Sequence, residues 1–235
     1  MITLVVDTSD SIAQIGALDG LNSSLRDWGD EMRKDANLQR IGQVAVVTFG
    51  PDVRTIDGSG ASLSTPADPF VDVARFNPRE LSTGGFSPML EGIERGIDVI
   101  RDGARALDRQ NLLLAWRPTL CLISDGAPTR IDGSPTNRLR EVTQRLRAEE
   151  DAHNLVFFAI GVPGADDQAL RTLAGPDGYY RLAEVNFMHA LKLLSASVVP
   201  NRSTSGNSAE EIKRDARQDV EQNPGYRDWL VGAEK

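Results

Sequence analysis

The chain has 235 residues, 40% of them hydrophobic and 26% charged, enough apolar material for one α/β domain of ordinary size with a short appendage, and too much for wholesale disorder. Its formal net charge is −8, and an acidic surface repels a phosphate backbone, which excludes nucleic acid as a partner of the whole molecule. The single cysteine, Cys121, stands in the apolar run Leu120-Cys121-Leu122-Ile123, which excludes an internal disulfide; with neither His153 nor His189 close in sequence, it also argues against a thiol nucleophile.

Ile2–Asp7 is an apolar run closed by a carboxylate, the pattern of a strand buried on both faces. It begins at the second residue and leaves no room for a cleavable leader; no later apolar run reaches bilayer-spanning length, so a soluble, cytoplasmic protein without a membrane span is expected. Residues 15–32 place Leu18, Leu21, Leu25, Trp28 and Met32 at helical spacing. Gln43–Phe49 reads as a second buried strand. The link 49–86 is rich in Asp, Ser, Pro and Gly, and within it 53–57 reads as an antiparallel edge strand made by a hairpin. Residues 88–107 repeat Leu90, Ile93, Ile97 and Ile100, a second amphipathic helix. Thr119–Ser124 is the next strand, and Ser134-Pro135 marks the start of a helix over 137–152. A strand at 155–161, a helix at 166–173, a strand at 178–182 and a helix at Phe187–Val198 follow. Trp28 and Trp116 read as packing residues, His153 and His189 as surface or dipole-compensating residues near helices. Past Pro200 the composition changes. Residues 201–208 read as a polar linker, Ala209–Gln222 as a polar helix stopped by Asn223-Pro224-Gly225, and Tyr226, Trp229 and Leu230 as apolar anchors for the tail. The expected organisation is a domain over 1–200 and a partly helical tail over 201–235.

Strands alternating with helices predict a doubly wound, mostly parallel six-stranded sheet with helices on both faces and one antiparallel edge strand. In such sheets ligands bind beyond the carboxyl ends of the strands. The first strand ends in Asp7-Thr8-Ser9-Asp10-Ser11, and alternate residues of an extended segment face one way. Asp7, Ser9 and Ser11 therefore present a carboxylate and two hydroxyls to one point, and Asp125, in Ser124-Asp125-Gly126, brings a second carboxylate to the same sheet edge. Between them Ser82-Thr83-Gly84-Gly85-Phe86-Ser87-Pro88 is a hydroxyl-rich turn opening a helix. Oxygen donors of this kind suit a hard divalent cation, Mg²⁺ first and Ca²⁺ or Mn²⁺ as alternatives. Mg²⁺ takes about six oxygens. Two carboxylates and three hydroxyls leave its shell open to water or to an incoming Asp or Glu of a partner.

This pattern resembles the metal-ion-dependent adhesion site of von Willebrand factor A domains, whose fold is Rossmann-like. Val5-Val6-Asp7-Thr8-Ser9, Val46-Val47-Thr48-Phe49, Gly84-Gly85, Glu91-Gly92-Ile93 and Leu122-Ile123-Ser124-Asp125-Gly126 look most similar to the bacterial intracellular branch that includes the TerY-type proteins of tellurium-resistance and stress gene clusters. The resemblance implies direct metal ligation by Ser9 and Ser11, and ligation by Asp7 and Asp125 directly or through water. It places the family's threonine at Ser87, in Ser87-Pro88-Met89-Leu90-Glu91-Gly92, with Thr83 as the alternative. It implies a metal-dependent protein-interaction module without catalysis, and a kinase or phosphatase of the same gene cluster as a partner, with phosphorylation expected in Ser203-Thr204-Ser205 or near the metal loop. The chain departs from the family at Asp10, where glycine is usual, and at Phe86, an additional residue before Ser87. The alternative reading is a Mg²⁺-dependent phosphatase-like enzyme with Asp7 as nucleophile. Such enzymes usually carry a second Asp where Ser9 stands, and no phosphate loop of the GxxxxGK[ST] type is present.

Overall fold

The computed structural model describes residues 1–114, 116–198 and 207–230. Seven strands form one sheet: β1 (Ile2–Asp7), β2 (Gln43–Phe49), β3 (Val53–Ile56), β4 (Val71–Asp72), β5 (Thr119–Ser124), β6 (Val156–Gly161) and β7 (Tyr179–Arg181). The order is β3-β2-β1-β5-β6-β7. β1 lies parallel to both β2 and β5, and β5, β6 and β7 continue parallel. β3 is the expected antiparallel edge strand, pairing Val46–Phe49 of β2 through Val53–Ile56. The seventh strand, β4, is a correction to the six expected. It is only two residues long and pairs Gln43 and Val44 on the same outer edge of β2, so its sequence offers no alternation to read.

Nine helices are described: α1 (Asp10–Gln14), α2 (Leu18–Met32), α3 (Ala36–Ile41), α4 (Met89–Arg109), α5 (Leu139–Asp151), α6 (Asp167–Ala174), α7 (Phe187–Val198), α8 (Ala209–Gln222) and α9 (Pro224–Arg227). The helix expected over 15–32 begins three residues later, at Leu18, and a separate short helix, α1, precedes it. Ile15 closes α1, and Gly16 turns the chain with φ +66°, a left-handed conformation that a residue with a Cβ resists. The expected start at Ser134-Pro135 is also corrected. Pro135 bridges Thr129 across a small hairpin, and α5 begins four residues later. Serine followed by proline serves a turn as well as a helix start, so the local signal was ambiguous.

Both faces of the sheet are covered. Leu4, Val6, Val46, Cys121 and Phe158 face a core completed by Leu21, Leu25 and Trp28 of α2 and by Leu191 and Leu194 of α7. Val5, Val47, Leu120, Leu122 and Phe157 face the other, with Ile93, Ile97 and Ile100 of α4 and Val142 and Leu146 of α5. α8 contributes Ala209, Ile212, Ala216 and Val220 to the first core. It also brings in Lys213, 2% exposed, whose Nζ lies 2.5 Å from Glu150 Oε1 and donates to the Ala174 carbonyl at 3.0 Å. Beyond α9, Leu230 bridges Leu182, Ala183 N donates to Trp229 O at 2.8 Å, and the Trp229 and His189 rings stack 3.8 Å apart. Most of the predicted linker, with Ser203, Thr204 and Ser205, lies outside the described residues. No helix among the described residues is long and apolar enough to cross a membrane.

The winding reverses at β1. The helices after β1 lead to β2 on one side, whereas α4 leads from the β2 side to β5 on the other. A crevice opens beyond the carboxyl ends of two strands where their connections diverge in this way. Asp7 and Asp125 stand at that point.

Candidate metal centre

β1 delivers Asp7 to the sheet edge opposite Phe49 of β2. The next residue locks the exit: Thr8 donates to the Phe49 carbonyl from both its amide (2.7 Å) and its Oγ1 (2.9 Å). Ser9 then runs extended, with φ −67° and ψ 170°, as the residue before α1. One extended step between Asp7 and Ser9 turns both side chains inward, as the alternation of the sequence requires.

Asp7 is 1% exposed and accepts four hydrogen bonds. Its Oδ1 receives Ser9 N at 3.0 Å and Ser9 Oγ at 2.5 Å. Its Oδ2 receives Ser124 Oγ at 2.7 Å and Ser87 Oγ at 3.3 Å. Ser9 Oγ is 2.9 Å from Ser11 Oγ, and Ser11 Oγ donates to Asp125 Oδ1 at 2.8 Å. The two carboxylates are thus joined through two serine hydroxyls, with Ser87 reaching in from the third loop. Among the described residues Thr83 makes no hydrogen bond to this group, and its neighbour Gly84 N donates to the Thr8 carbonyl at 2.9 Å.

The third loop is held at both ends. Asp10 N donates to Gly85 O at 3.0 Å. Gly85 has φ +70°, and a Cβ there would stand 2.8 Å from Pro51 Cα, so both conformation and space call for glycine. Ser87 N donates to Thr129 Oγ1 at 3.0 Å, and Thr129 N returns a bond to Ser87 O at 2.8 Å. A Cβ at Gly126 would lie 3.7 Å from Ser87 Oγ and 4.0 Å from Asp7 Oδ2; glycine there leaves space beside both oxygens.

The electrostatics follow from burial. Desolvation pushes Asp7 up to about 6 against the pull of its Ser9 and Ser124 hydrogen bonds, and the charge of Asp125 raises it further. Burial also raises Asp125, against its hydrogen bond from Ser11. No Lys, Arg or His side chain among the described residues bonds either carboxylate. The cluster thus consists of hard oxygen donors with unneutralised negative charge, a composition that fits a hard divalent cation. Among the described residues no group of three or more His, Cys, Asp or Glu is placed to hold a metal; the donors here are two carboxylates and serine hydroxyls.

Asp7, Ser9, Ser11, Ser87 and Asp125 are all brought together. The sequence reading did not assign roles to Ser124 and Thr129. Ser124 could have been noticed as a hydroxyl at a strand end beside a candidate carboxylate. Thr129 carried no signal, because its role depends on a pairing 42 residues from Ser87. Cys121 is buried inside β5, with its thiol pushed well up by desolvation.

A family model described as the von Willebrand factor type A domain matches residues 2–195. No curated protein matches the chain significantly. Among solved structures, a von Willebrand factor type A protein from Catenulispora acidiphila aligns with TM-score 0.51 at 13% identity, over 92% of this chain and 41% of that one. The von Willebrand domain of the type V pili tip protein Mfa5 from Porphyromonas gingivalis aligns with TM-score 0.52 at 9% identity, over 86% and 97%. The pilus adhesin SpaC from Lactobacillus rhamnosus GG aligns with TM-score 0.53 at 12% identity, over 93% and 30%. At these identities the likeness is one of fold. The chain spans 45% of the length of another match, proximal thread matrix protein 1 from the mussel byssus.

Proposed function

The chain belongs to the von Willebrand factor type A domain family, and from that premise we propose that it is a protein-interaction module which takes up one divalent cation, Mg²⁺ in the first instance, and through it binds an Asp or Glu side chain of a partner protein. The observation that carries this reading is the part-buried row of oxygens from Asp7 through Ser9 and Ser11 to Asp125, in which each serine donates its proton to a carboxylate and the two hydroxyl oxygens stand 2.9 Å apart. Asp7, Ser9, Ser11, Ser87 and Asp125 would hold the ion. When bound, the ion supplies an electrophilic site for a carboxylate oxygen. The residues do the rest. Asp7 and Asp125 sit at the ends of two strands of the packed sheet, so their separation is set by the sheet. Ser124 holds Asp7 Oδ2, and Thr129 holds the Ser87 backbone. One oxygen from each of the five side chains that would hold the ion leaves a shell of about six oxygens incomplete, which supports binding of an outside carboxylate rather than purely structural retention.

The same reading places the chain in the TerY-like intracellular branch, supported by the likeness of the Val5–Ser9 and Leu122–Gly126 segments, and gives it a binding role rather than a catalytic one. The test is calorimetric titration of EDTA-stripped protein with Mg²⁺ and Mn²⁺, then of the loaded protein with a carboxylate-bearing peptide. Saturable uptake at one site, lost in Asp7→Ala and in Ser9→Ala/Ser11→Ala, is the expected result. Equal uptake by Asp7→Ala, or peptide binding indifferent to EDTA, defeats the proposal.

A further inference from the structure

Phe86 is 53% exposed although it directly precedes Ser87, a member of the candidate metal centre. It is not a loosely placed side chain. A Cβ at Gly133 would lie 2.5–2.7 Å from three atoms of the Phe86 ring, so the ring rests against bare backbone and keeps its other side in solvent. Gly133 belongs to the hairpin closed by the Thr129–Pro135 bridge and by Arg130 N donating to Ser134 O at 2.9 Å. The tip of that hairpin carries Ile131, 57% exposed. The hairpin is tied to the metal centre by the reciprocal Ser87–Thr129 bonds. Hydroxyl donor, aromatic ring and hairpin therefore form one pinned unit.

Single exposed apolar residues need no explanation. Here two large ones, Phe86 and Ile131, stand on the two loops that share the Ser87–Thr129 bonds, one directly before a member of the centre and the other two residues after its partner Thr129. The charges around them narrow the ligand further. Asp10, whose amide bonds Gly85, and Asp132, beside Gly133, are both exposed and acidic, with Arg130 the one basic residue of the hairpin tip. Acidic side chains on both flanks repel a ligand carrying several carboxylates in a row.

We infer that the partner presents a single acidic residue flanked by an apolar side chain, with the carboxylate at the Asp7–Asp125 centre and the apolar group on Phe86 and Ile131. This rests on the metal-dependent carboxylate binding proposed above, and deepens it from any acidic side chain to an acid–apolar pair. An acidic stretch is the ligand it argues against.

The test uses the full chain loaded with Mg²⁺ and three peptides, Gly-Gly-Asp-Gly-Gly, Gly-Leu-Asp-Leu-Gly and Gly-Asp-Asp-Asp-Gly, titrated by ¹H–¹⁵N NMR with and without EDTA. The leucine peptide should bind roughly tenfold tighter than the glycine peptide, about 1.4 kcal/mol, and the triple-aspartate peptide no tighter than the glycine peptide. Phe86→Ser/Ile131→Ser should bind the leucine and glycine peptides equally while its Mn²⁺ titration stays that of the wild type. Equal, EDTA-sensitive binding of the leucine and glycine peptides by the wild type overturns this inference and leaves the carboxylate reading standing. A leucine preference that survives in the double variant, or tightest binding of the triple-aspartate peptide, also overturns it. Metal uptake without EDTA-sensitive binding of any peptide overturns both.

Discussion

Asp7 gives the metal-free protein an unusual dependence on pH. Its carboxyl is pushed up to about 6 in the folded chain, chiefly by burial, whereas an unfolded aspartate titrates near the ordinary 3.8. The folded state therefore binds more protons than the unfolded state between these values. The sign follows: Asp7's contribution to stability is fully present below about 3.8 and is lost as pH rises through about 6. The gap corresponds to roughly 3 kcal/mol, the cost of holding a charged carboxylate at a site 1% exposed. Urea unfolding in EDTA, where the site holds only protons, should show this loss between pH 4 and pH 7. Asp7→Asn is the reference, since its amide fills the same space without titrating. The quantity to read is the wild-type slope against pH minus the Asp7→Asn slope, which removes the contribution of every other carboxylate. With millimolar Mg²⁺ at pH 7 the wild type should regain stability and Asp7→Asn should not, because the cation supplies what the buried oxygens lack. Equal slopes for the two proteins in EDTA would show that Asp7 is not held at a raised value, and the electrostatic case for a cation would fall with it.

Other interactions give further expectations. Lys213→Met should cost on the order of 3 kcal/mol in urea unfolding, because it leaves the Glu150 carboxylate, 4% exposed, without its most buried cation, with only the half-exposed Arg147 and the charge of Arg117 nearby; Glu150→Gln/Lys213→Met should recover most of that loss. Thr129→Val removes the acceptor of the Ser87 amide, and Mn²⁺ titration should show about a tenfold loss of affinity with the far-ultraviolet dichroism unchanged. Trp229→Ala removes the stack on His189, costs about 1 kcal/mol, and should speed hydrogen exchange at the Ala183 amide, which the Trp229 carbonyl holds.

The parts of the fold that could be read in advance are those whose pattern is long and whose burial is two-sided. Ile2–Asp7, Gln43–Phe49 and Thr119–Ser124 are continuous apolar runs, and every residue in the first and third is buried. Ala209–Gln222 was legible by its composition and its Asn223-Pro224-Gly225 stop; the structure adds a capping box, in which Ser208 accepts from Glu211 N while Glu211 accepts from the Ser208 amide. What escaped was short or decided at a distance. Val71–Asp72 exists as a strand only because β2 offers it an edge. The late start of the helix expected at residue 15 turns on one glycine, Gly16, which breaks the chain between α1 and α2.

The candidate centre shows the same division. Asp7, Ser9 and Ser11 are spaced by the chain itself, and Asp125 is placed by the register of β1 with β5, in which Val6 faces Ile123. These two facts are enough to set both carboxylates at one edge. Thr129 and the exposure of Phe86 depend on how the loop after β5 folds back on Ser87, and no local pattern encodes that. With Phe86 before it, Ser87 Oγ still reaches Asp7 Oδ2 at 3.3 Å, and the Phe86 ring lies outward against Gly133.

Asp10 shows why glycine is dispensable at its position here. The only non-glycine residues with positive φ among those described are Asn111 and His153, so Asp10 sits in an ordinary conformation. It opens α1, where a carboxylate faces the free amides of a helix start and is favoured there. The chain thus keeps the loop geometry without the glycine and gains an exposed negative charge next to the cluster. On the binding role proposed above, that charge would draw a small cation in and turn a highly acidic partner away, and with Phe86 close by it would favour one carboxylate presented beside apolar material.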